Sequence, residues 1–346
     1  MKNNNPFTLT FGKKPNEYIS RYENTETIIS TFEADNPVSQ AYLIQGIRGS
    51  GKTVLMTAVT SELSKKDNYI VVDLNSTNNL LDDLAMRLND VCKKKPDLID
   101  MGFNISIAGF GVGINGSSSI HDNISIIEEI LSELKKKGKK VVITIDEVMH
   151  DENMRHFASE FQLFLRKDYS VYLIMTGLYE NIYAIHNDPA LTFLLRTPKI
   201  ELEPLSLHQI SKQYRDIFRI ELSEAKELAR ITKGYAFAFQ AFGMLYFEYR
   251  ETLDMDSILS KLDDMLDDFV YKKIWDSMSE QDRNVVRCIS YDSKKVKDIC
   301  EALSMSSSTF SKYRDRLLKR GILCSPQHGI VTLALPRFAN VIETYD

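Results

Sequence analysis

Cysteine is scarce in this sequence, long apolar runs are absent, and neither sign of charge dominates. The 346 residues hold four cysteines, Cys92, Cys288, Cys300 and Cys324, and no two form a CxxC pair. That excludes a disulfide scaffold and a paired-thiol zinc site, and buried reduced thiols are expected instead. No run approaches the ~20 apolar residues that cross a bilayer. The opening MKNNNPFTLTFGKKPNEY lacks the apolar stretch of a secretory signal, so the expected compartment is the cytoplasm, with no membrane partner. The six histidines show no ligand spacing such as HxxxH. His150, just after a strand end, reads as structural rather than catalytic. The single tryptophan, Trp275, is expected in the core at a domain junction. Hydrophobic residues at 43% and charged residues at 26% exclude a disordered or collagen-like chain.

The net charge of −5 argues against a uniformly basic nucleic-acid coat. Its distribution is uneven. From Asp276 onward 11 Lys and Arg face 9 Asp and Glu, leaving 32 against 39 for the preceding residues. The C-terminal end is therefore mildly basic and the remainder acidic. At roughly 100–200 residues per domain, the length suits two or three domains.

Through the first 205 residues, apolar runs alternate with helical patterns. The runs are Ala41–Gln45, Tyr69–Leu74, Val141–Ile145, Val171–Met175 and Lys199–Leu202, the last being short and interrupted by Glu201. Runs this apolar predict strands buried on both faces of a parallel sheet. Helices are predicted over Glu23–Ala34, Val54–Ser64, Leu80–Lys94, Ile124–Lys137, Met154–Arg166 and Ala190–Leu195. This is α/β architecture with helices on both faces. One segment departs from it: Phe103–Asn115 reads FNISIAGFGVGIN, a β-hairpin insertion (about 102–116) followed by a Ser-rich turn at Ser117–Ser119. Residues 206–275 predict a small helical domain, with helices over Leu207–Phe218, Ser223–Thr232, Ala236–Arg250 and Met255–Tyr271. Residues 276–346 shorten to three compact helices and a β-type segment, Ile330–Leu335.

Four features carry chemistry. The first is GIRGSGKT, Gly46 to Thr53, which matches G-x-x-x-x-G-K-S/T between a buried strand and a helix. Gly49 and Gly51 let the backbone curl into an anion nest. The following helix adds the partial positive charge of its N-terminus. Gly46, Arg48, Gly49, Ser50, Gly51, Lys52, Thr53 and Val54 are the candidate nucleotide contacts. Lys52 would reach the β- and γ-phosphates, and Thr53 would hold Mg²⁺. The second is VVITIDE, an apolar strand ending in Asp146 and Glu147. Asp146 would bind Mg²⁺ and Glu147 would polarise the attacking water. A carboxylate directly after the aspartate favours hydrolysis over small-molecule phosphorylation. The third is Thr176, which ends its strand before Gly177 and would position water or touch the γ-phosphate; an ordinary Thr-Gly turn reads equally well. The fourth is Arg196 in LLRTPKIELEPLSL, a cation for the γ-phosphate of its own site or of a neighbouring subunit. The guanine-reading NKxD motif and the LSGGQ motif of transporter ATPases are both absent, so ATP is preferred over GTP.

At the C-terminus, Val296–Leu303, a turn at Ser304–Ser306 and Ser307–Leu318 have helix-turn-helix spacing. Ser307, Ser308, Thr309, Lys312, Tyr313 and Arg316 are the candidate contacts to double-stranded DNA. Phe310, Leu317 and Leu318 would face the core. In the second helix and Lys319–Arg320, five cations meet one acid, Asp315, a balance suited to phosphate neutralisation. A β-wing around His328–Thr332 would complete a winged helix. The other reading is a winged helix that docks a protein partner.

The order GIRGSGKT, VVITIDE, LIMTG, LLRTPKIELEPLS, helical lid and winged helix resembles the AAA+/STAND P-loop ATPases of the origin-recognition-like and archaeal-ATPase groups, in a bacterial ATP-binding branch with the opening NPFTLTFGKKPNEYISR. The resemblance spans nearly the whole chain. It implies a P-loop NTPase core (1–205), a helical lid (206–275) and a C-terminal winged-helix domain (276–346). It also implies a five-stranded sheet whose Walker A, Walker B and sensor-1 strands lie side by side. Lys52, Thr53, Asp146, Glu147 and Thr176 would take the corresponding roles, and Ile19 and Arg21 fall where related proteins flank the adenine. One departure is plain. The lid helix that carries a sensor-2 arginine in the family reads Thr232-Lys-Gly-Tyr-Ala-Phe-Ala-Phe here, and Ala236 stands where the STAND-type Gly-x-Pro has proline. Tyr235 or Lys233 would have to substitute. The expectation is therefore a slow, ATP-gated DNA-binding switch rather than a motor, with a nucleotide-dependent signalling scaffold as the alternative.

Overall fold

The computed structural model describes residues 4–10, 15, 17–98, 120–290 and 294–345. The predicted hairpin Phe103–Asn115 and the turn Ser117–Ser119 lie outside them. The chain divides into two compact units, one of Arg21–Gln45 and Leu55–Glu201, the other of Met1–Ser20, Gly46–Val54 and Leu202–Asp346.

The first unit is built in the order α1 (Tyr22–Glu33), β1 (Ala41–Gln45), α2 (Lys52–Leu63, whose first turn belongs to the other unit), β2 (Tyr69–Leu74), α3 (Leu80–Lys94), α4 (Ile120–Lys136), β3 (Lys140–Ile145), α5 (Glu152–Arg166), β4 (Val171–Gly177), α6 (Tyr179–His186) and β5 (Lys199–Glu201). Five parallel strands run β2-β3-β4-β1-β5. Every residue of β1 and β4 is buried, as a central parallel strand requires. Alternation still divides the two faces. Leu43, Ile143, Leu173 and Met175 join a cluster with Leu84 of α3, Ile127 of α4, Phe157 of α5 and Ile182 of α6. On the other face Phe32 of α1 packs on Tyr42 and Tyr172, with ring centroids 5.8 and 4.7 Å apart. β5 buries only Ile200, which explains its weak signature: an edge strand needs one inward side chain, not a continuous run.

The sequence reading missed α6. Only Ile182 and Ile185 of that helix are buried, too few to establish a period of 3.6. The helix expected over Ala190–Leu195 is a kinked 3-10 helix, Pro189–Arg196, capped by the Asp188 side chain.

The second unit holds α7 (Leu207–Phe218), α8 (Leu222–Ile231), α9 (Ala236–Tyr249), α10 (Met255–Leu266), α11 (Lys272–Asp276), α12 (Glu280–Ile289), β6 (Lys294–Lys295), α13 (Val296–Ala302), α14 (Ser307–Lys319), β7 (Leu323–Gln327), β8 (Ile330–Leu333) and α15 (Phe338–Ile342). The single helix expected over Met255–Tyr271 ends at Leu266, and a π turn, Asp267–Tyr271, follows. The wider turn brings both Val270 and Tyr271 into the core. α13 and α14 flank a turn with Ser304 at φ 51°. β7 and β8 form an antiparallel hairpin, and β6 pairs with the other edge of β8. The N-terminal segment packs on the helices of this unit. Phe7 lies against Tyr214, Phe218 and Phe239, and a Cβ on Gly243 would stand 2.5 Å from its ring.

Two of the four cysteines, Cys92 and Cys300, are buried; Cys288 is half-buried and Cys324 exposed. The expectation of buried thiols thus fails for Cys324. That residue lies on an edge strand of which only Leu323 is buried. Among the described residues no helix is long and apolar enough to cross a membrane.

Candidate nucleotide-binding site

β1 ends at Gln45, and the glycine-rich loop begins with the next residue. Gly49 and Gly51 adopt φ of 76° and 92°, a left-handed backbone that glycine enters without steric cost. The Ser50 N–H donates to the Ile47 carbonyl at 3.2 Å, closing the loop. Lys52 is 8% exposed. Its ammonium donates to the Gly46 and Ile47 carbonyls, each at 3.0 Å, so the loop wraps its own cation. α2 carries no acid in its own first turn, and the N-terminal end of a helix bears partial positive charge.

The turn before α9 meets this loop within the same unit. The Tyr235 hydroxyl donates to the Arg48 carbonyl at 2.6 Å, and the Phe237 N–H donates to the Gly49 carbonyl at 3.1 Å. Burial pushes the Tyr235 phenol far above its ordinary pKa. Lys233, the other candidate to replace a sensor-2 arginine, donates to the Leu333 carbonyl of β8 at 3.0 Å. Its burial lowers its pKa. Ile19 packs on the core of this unit.

In the first unit, β4 pairs with β3 as the sequence reading required, with Ile145 opposite Met175. Thr176 is fully buried, and its hydroxyl donates to the Asp146 carboxylate. The Glu147 N–H reaches both the Thr176 hydroxyl and Asp146 Oδ1 at 3.2 Å, while the Val148 N–H donates to the Thr176 carbonyl at 2.8 Å. Glu147 has φ 53°, a left-handed conformation unusual for a non-glycine residue. That backbone leaves the Glu147 side chain exposed and Asp146 half-buried. An oriented aspartate and an outward glutamate suit magnesium and water respectively. Among the described residues no group of three or more His, Cys, Asp or Glu is placed to hold a metal alone. Magnesium does not need one, since it takes one or two carboxylates and completes its shell with phosphates and water.

Arg21 caps α1 through its carbonyl, which accepts from the Thr25 N–H at 3.0 Å. Arg196 is exposed at the end of its 3-10 helix. The sequence reading missed a charged cluster at Asp188. His150 Nε2 lies 2.7 Å from its carboxylate, the Ala190 N–H donates at 2.9 Å and Arg155 Nε at 2.6 Å. In that order these partners hold Asp188 well below the usual carboxylate range. His150 is thus bound into a structural network. The local signal was the Asp188-Pro189 pair, an N-cap with proline at the first helical position.

On α14, Ser307, Ser308, Thr309 and Lys312 are exposed, and Phe310 and Leu317 are buried. Ser306 caps the helix, its Oγ accepting from the Thr309 N–H at 3.2 Å. Lys319 and Arg316 of this helix are engaged in ion pairs. Lys319 lies 2.8 Å from Asp315. Arg316 stacks on Tyr313 at 5.2 Å and pairs with Asp282 of α12 at 2.7 Å. Asp282 is 2% exposed and also closes the capping box of α12 with Ser279. Asp282→Ala removes the reciprocal half of the capping box and the partner of a half-exposed cation, and is expected to cost about 1–3 kcal/mol. Thermal unfolding measures this, and an unchanged midpoint would show that Arg316 is not committed to Asp282.

Comparison with known proteins bears on the fold. A family described as a domain of unknown function, DUF8462, matches residues 268–342. No curated protein matches the sequence. Solved structures do match. The Walker-type ATPase of Pyrococcus abyssi is 14% identical, with a TM-score of 0.68, over 94% of this chain and 96% of that one. The ORC2 protein of Aeropyrum pernix, solved as ADPNP and ADP complexes, is 13% identical with a TM-score of 0.61 over 96% of each chain. Cdc6p of Pyrobaculum aerophilum is 13% identical with a TM-score of 0.50, over 96% of this chain and 94% of that one. The chain has the fold of an archaeal Walker-type ATPase and of archaeal origin-recognition proteins, a P-loop NTPase core with a C-terminal extension.

Proposed function

We propose that this protein binds ATP, hydrolyses it slowly and uses the nucleotide state to control binding of double-stranded DNA. The observation that carries this reading is the glycine loop closed around the Lys52 ammonium, directly after a buried strand. An anion nest with a lysine at its centre is built for a polyphosphate. The adenine nucleotides held by the Aeropyrum protein of the same fold support ATP as the ligand.

In this reading residues 1–205 form the ATPase core, 206–275 the lid and 276–346 a winged helix. Gly46, Arg48, Gly49, Ser50, Gly51, Lys52, Thr53 and Val54 cradle the phosphates, and Ile19, Arg21 and Tyr235 complete the nucleotide pocket. Thr53 and Asp146 hold Mg²⁺, which neutralises charge on the phosphates when bound. Thr176 orients Asp146, and Glu147 takes the proton of the water that attacks the γ-phosphorus, releasing ADP and phosphate. Arg196 adds positive charge at the γ-phosphate, from its own subunit or from a neighbour. A lid without a sensor-2 arginine fits low turnover. The protein acts in the cytoplasm.

For DNA, Ser307, Ser308, Thr309, Lys312, Tyr313 and Arg316 form the contact face. Lys312→Ala is expected to weaken duplex binding and to lower the salt slope of log affinity by about one. Fluorescence anisotropy across a salt series measures both. The second reading, a signalling scaffold whose winged helix docks a protein partner, is favoured by the ion pairs of Arg316 and Lys319, which thin the cationic face. Absence of duplex binding at low salt, with and without ATP, selects that reading.

A further inference from the structure

The lid's contact with the phosphate loop is made through the wrong atoms for a phosphate sensor. The Tyr235 hydroxyl points at a backbone carbonyl, that of Arg48, and the next carbonyl, Gly49, accepts from the Phe237 N–H. The loop thereby caps α9, whose N-cap residue Tyr235 makes no side-chain cap of its own. A trans peptide sets C=O and N–H in opposite directions. Two pinned carbonyls therefore fix where the N–H groups of Gly49 and Ser50 point: the Ser50 N–H closes the loop on the Ile47 carbonyl, and the Gly49 N–H is a donor of the kind an anion nest offers. The fit is tight: a Cβ on Gly49 would stand 2.3 Å from the Tyr235 oxygen.

The same lid turn also grips the C-terminal domain. The Tyr235 ring stacks on Tyr271, with centroids 6.3 Å apart and planes inclined by 24°. Tyr271 is fully buried. Its hydroxyl donates to the Pro336 carbonyl at 2.6 Å, and its ring meets Phe338 of α15 edge-on at 4.8 Å. Two residues before Tyr235, Lys233 donates to the Leu333 carbonyl at the end of β8. One tyrosine thus touches the loop with its hydroxyl, and its ring begins a packed column into the β8–α15 segment.

We infer that Tyr235 is a positioning residue that couples the phosphate loop to the C-terminal domain: its hydroxyl aims the loop's amides, and loop movement on nucleotide binding is passed through Tyr271 to residues 333–342. The inference rests on the nucleotide reading above and names how that site is regulated. The sensing atom is a phenol on a carbonyl, in place of an arginine on the γ-phosphate.

Two single-atom deletions in the full chain test it. Tyr235→Phe keeps the stack and removes the bond to the loop, whereas Tyr271→Phe keeps the loop bond and removes the one to Pro336. Mg·ATP affinity is read by calorimetry. Coupling is read as the change in amide hydrogen exchange of residues 333–342 at saturating Mg·ATP. In wild type that exchange is expected to change on binding. Tyr235→Phe is expected to bind roughly 5–10-fold more weakly, as loss of one bond to a positioned group predicts, and to lose more than half of the exchange change. Tyr271→Phe is expected to keep wild-type nucleotide affinity and also lose the exchange change. A purely structural role would lower affinity alike in both variants, and that result overturns the inference. So does wild-type affinity with a full exchange change in Tyr235→Phe, or a wild type that binds Mg·ATP without any change at residues 333–342. A wild type that binds no Mg·ATP overturns the nucleotide reading itself, and this inference with it.

Discussion

Replacing Lys52 with alanine is expected to weaken Mg·ATP binding by about a hundredfold or more. Two losses combine. The ammonium is the positive charge at the centre of the loop, and charge-assisted bonds to phosphate are about twice as strong as neutral ones. The same group ties together the Gly46 and Ile47 carbonyls, so its removal also frees the loop to relax out of its nest. About 3 kcal/mol, the upper end for a hydrogen bond to a charged group, corresponds to that hundredfold change. Lys52→Arg is not a rescue, because a planar fork cannot replace a compact ammonium between two carbonyls. Calorimetric titration of Mg·ATP into both proteins makes the comparison. Equal affinity for wild type and Lys52→Ala would remove the loop from nucleotide binding.

Glu147→Gln is expected to bind Mg·ATP like wild type and to hydrolyse it roughly 10²–10⁴-fold more slowly, the range for loss of a general base. The structure makes this substitution clean. The Glu147 backbone N–H is held by Thr176 and Asp146, and the strained φ of 53° belongs to the main chain. An isosteric amide leaves those main-chain bonds in place and removes the proton acceptor. Single-turnover phosphate release, measured beside equilibrium binding, separates the two effects. Turnover at the wild-type rate would take Glu147 out of the chemistry and leave Asp146 with the metal alone.

Local pattern made much of this architecture legible. Four of the five strands stand out because a central parallel strand must be apolar at nearly every position, and β5 is faint because only Ile200 turns inward. The glycine loop is legible because left-handed glycines, a lysine and a hydroxyl must fall at fixed spacing. α6 has two buried residues and β6 is two residues long, so neither builds a period. β7 buries only Leu323 and contains Pro326. The π turn at Asp267–Tyr271 looks like continued helix, since the extra residue changes only which side chains turn inward. At the candidate sites the residue types were readable and their partners were not. Nothing near Arg316 in the sequence announces Asp282, and nothing near Arg48 announces Tyr235, because both pairs form only when distant segments pack. The charge balance of α14 illustrates the consequence. Five cations counted along the chain overstate the phosphate-facing charge once Arg316 and Lys319 have found carboxylates.

The most direct test of a nucleotide-gated DNA switch is the affinity of the wild-type chain for a DNA duplex, measured at one fixed low salt with and without saturating Mg·ATP. Coupled sites of this kind typically exchange about 1–3 kcal/mol, so the two affinities are expected to differ by at least about fivefold. Identical duplex affinity under the two conditions would contradict the account.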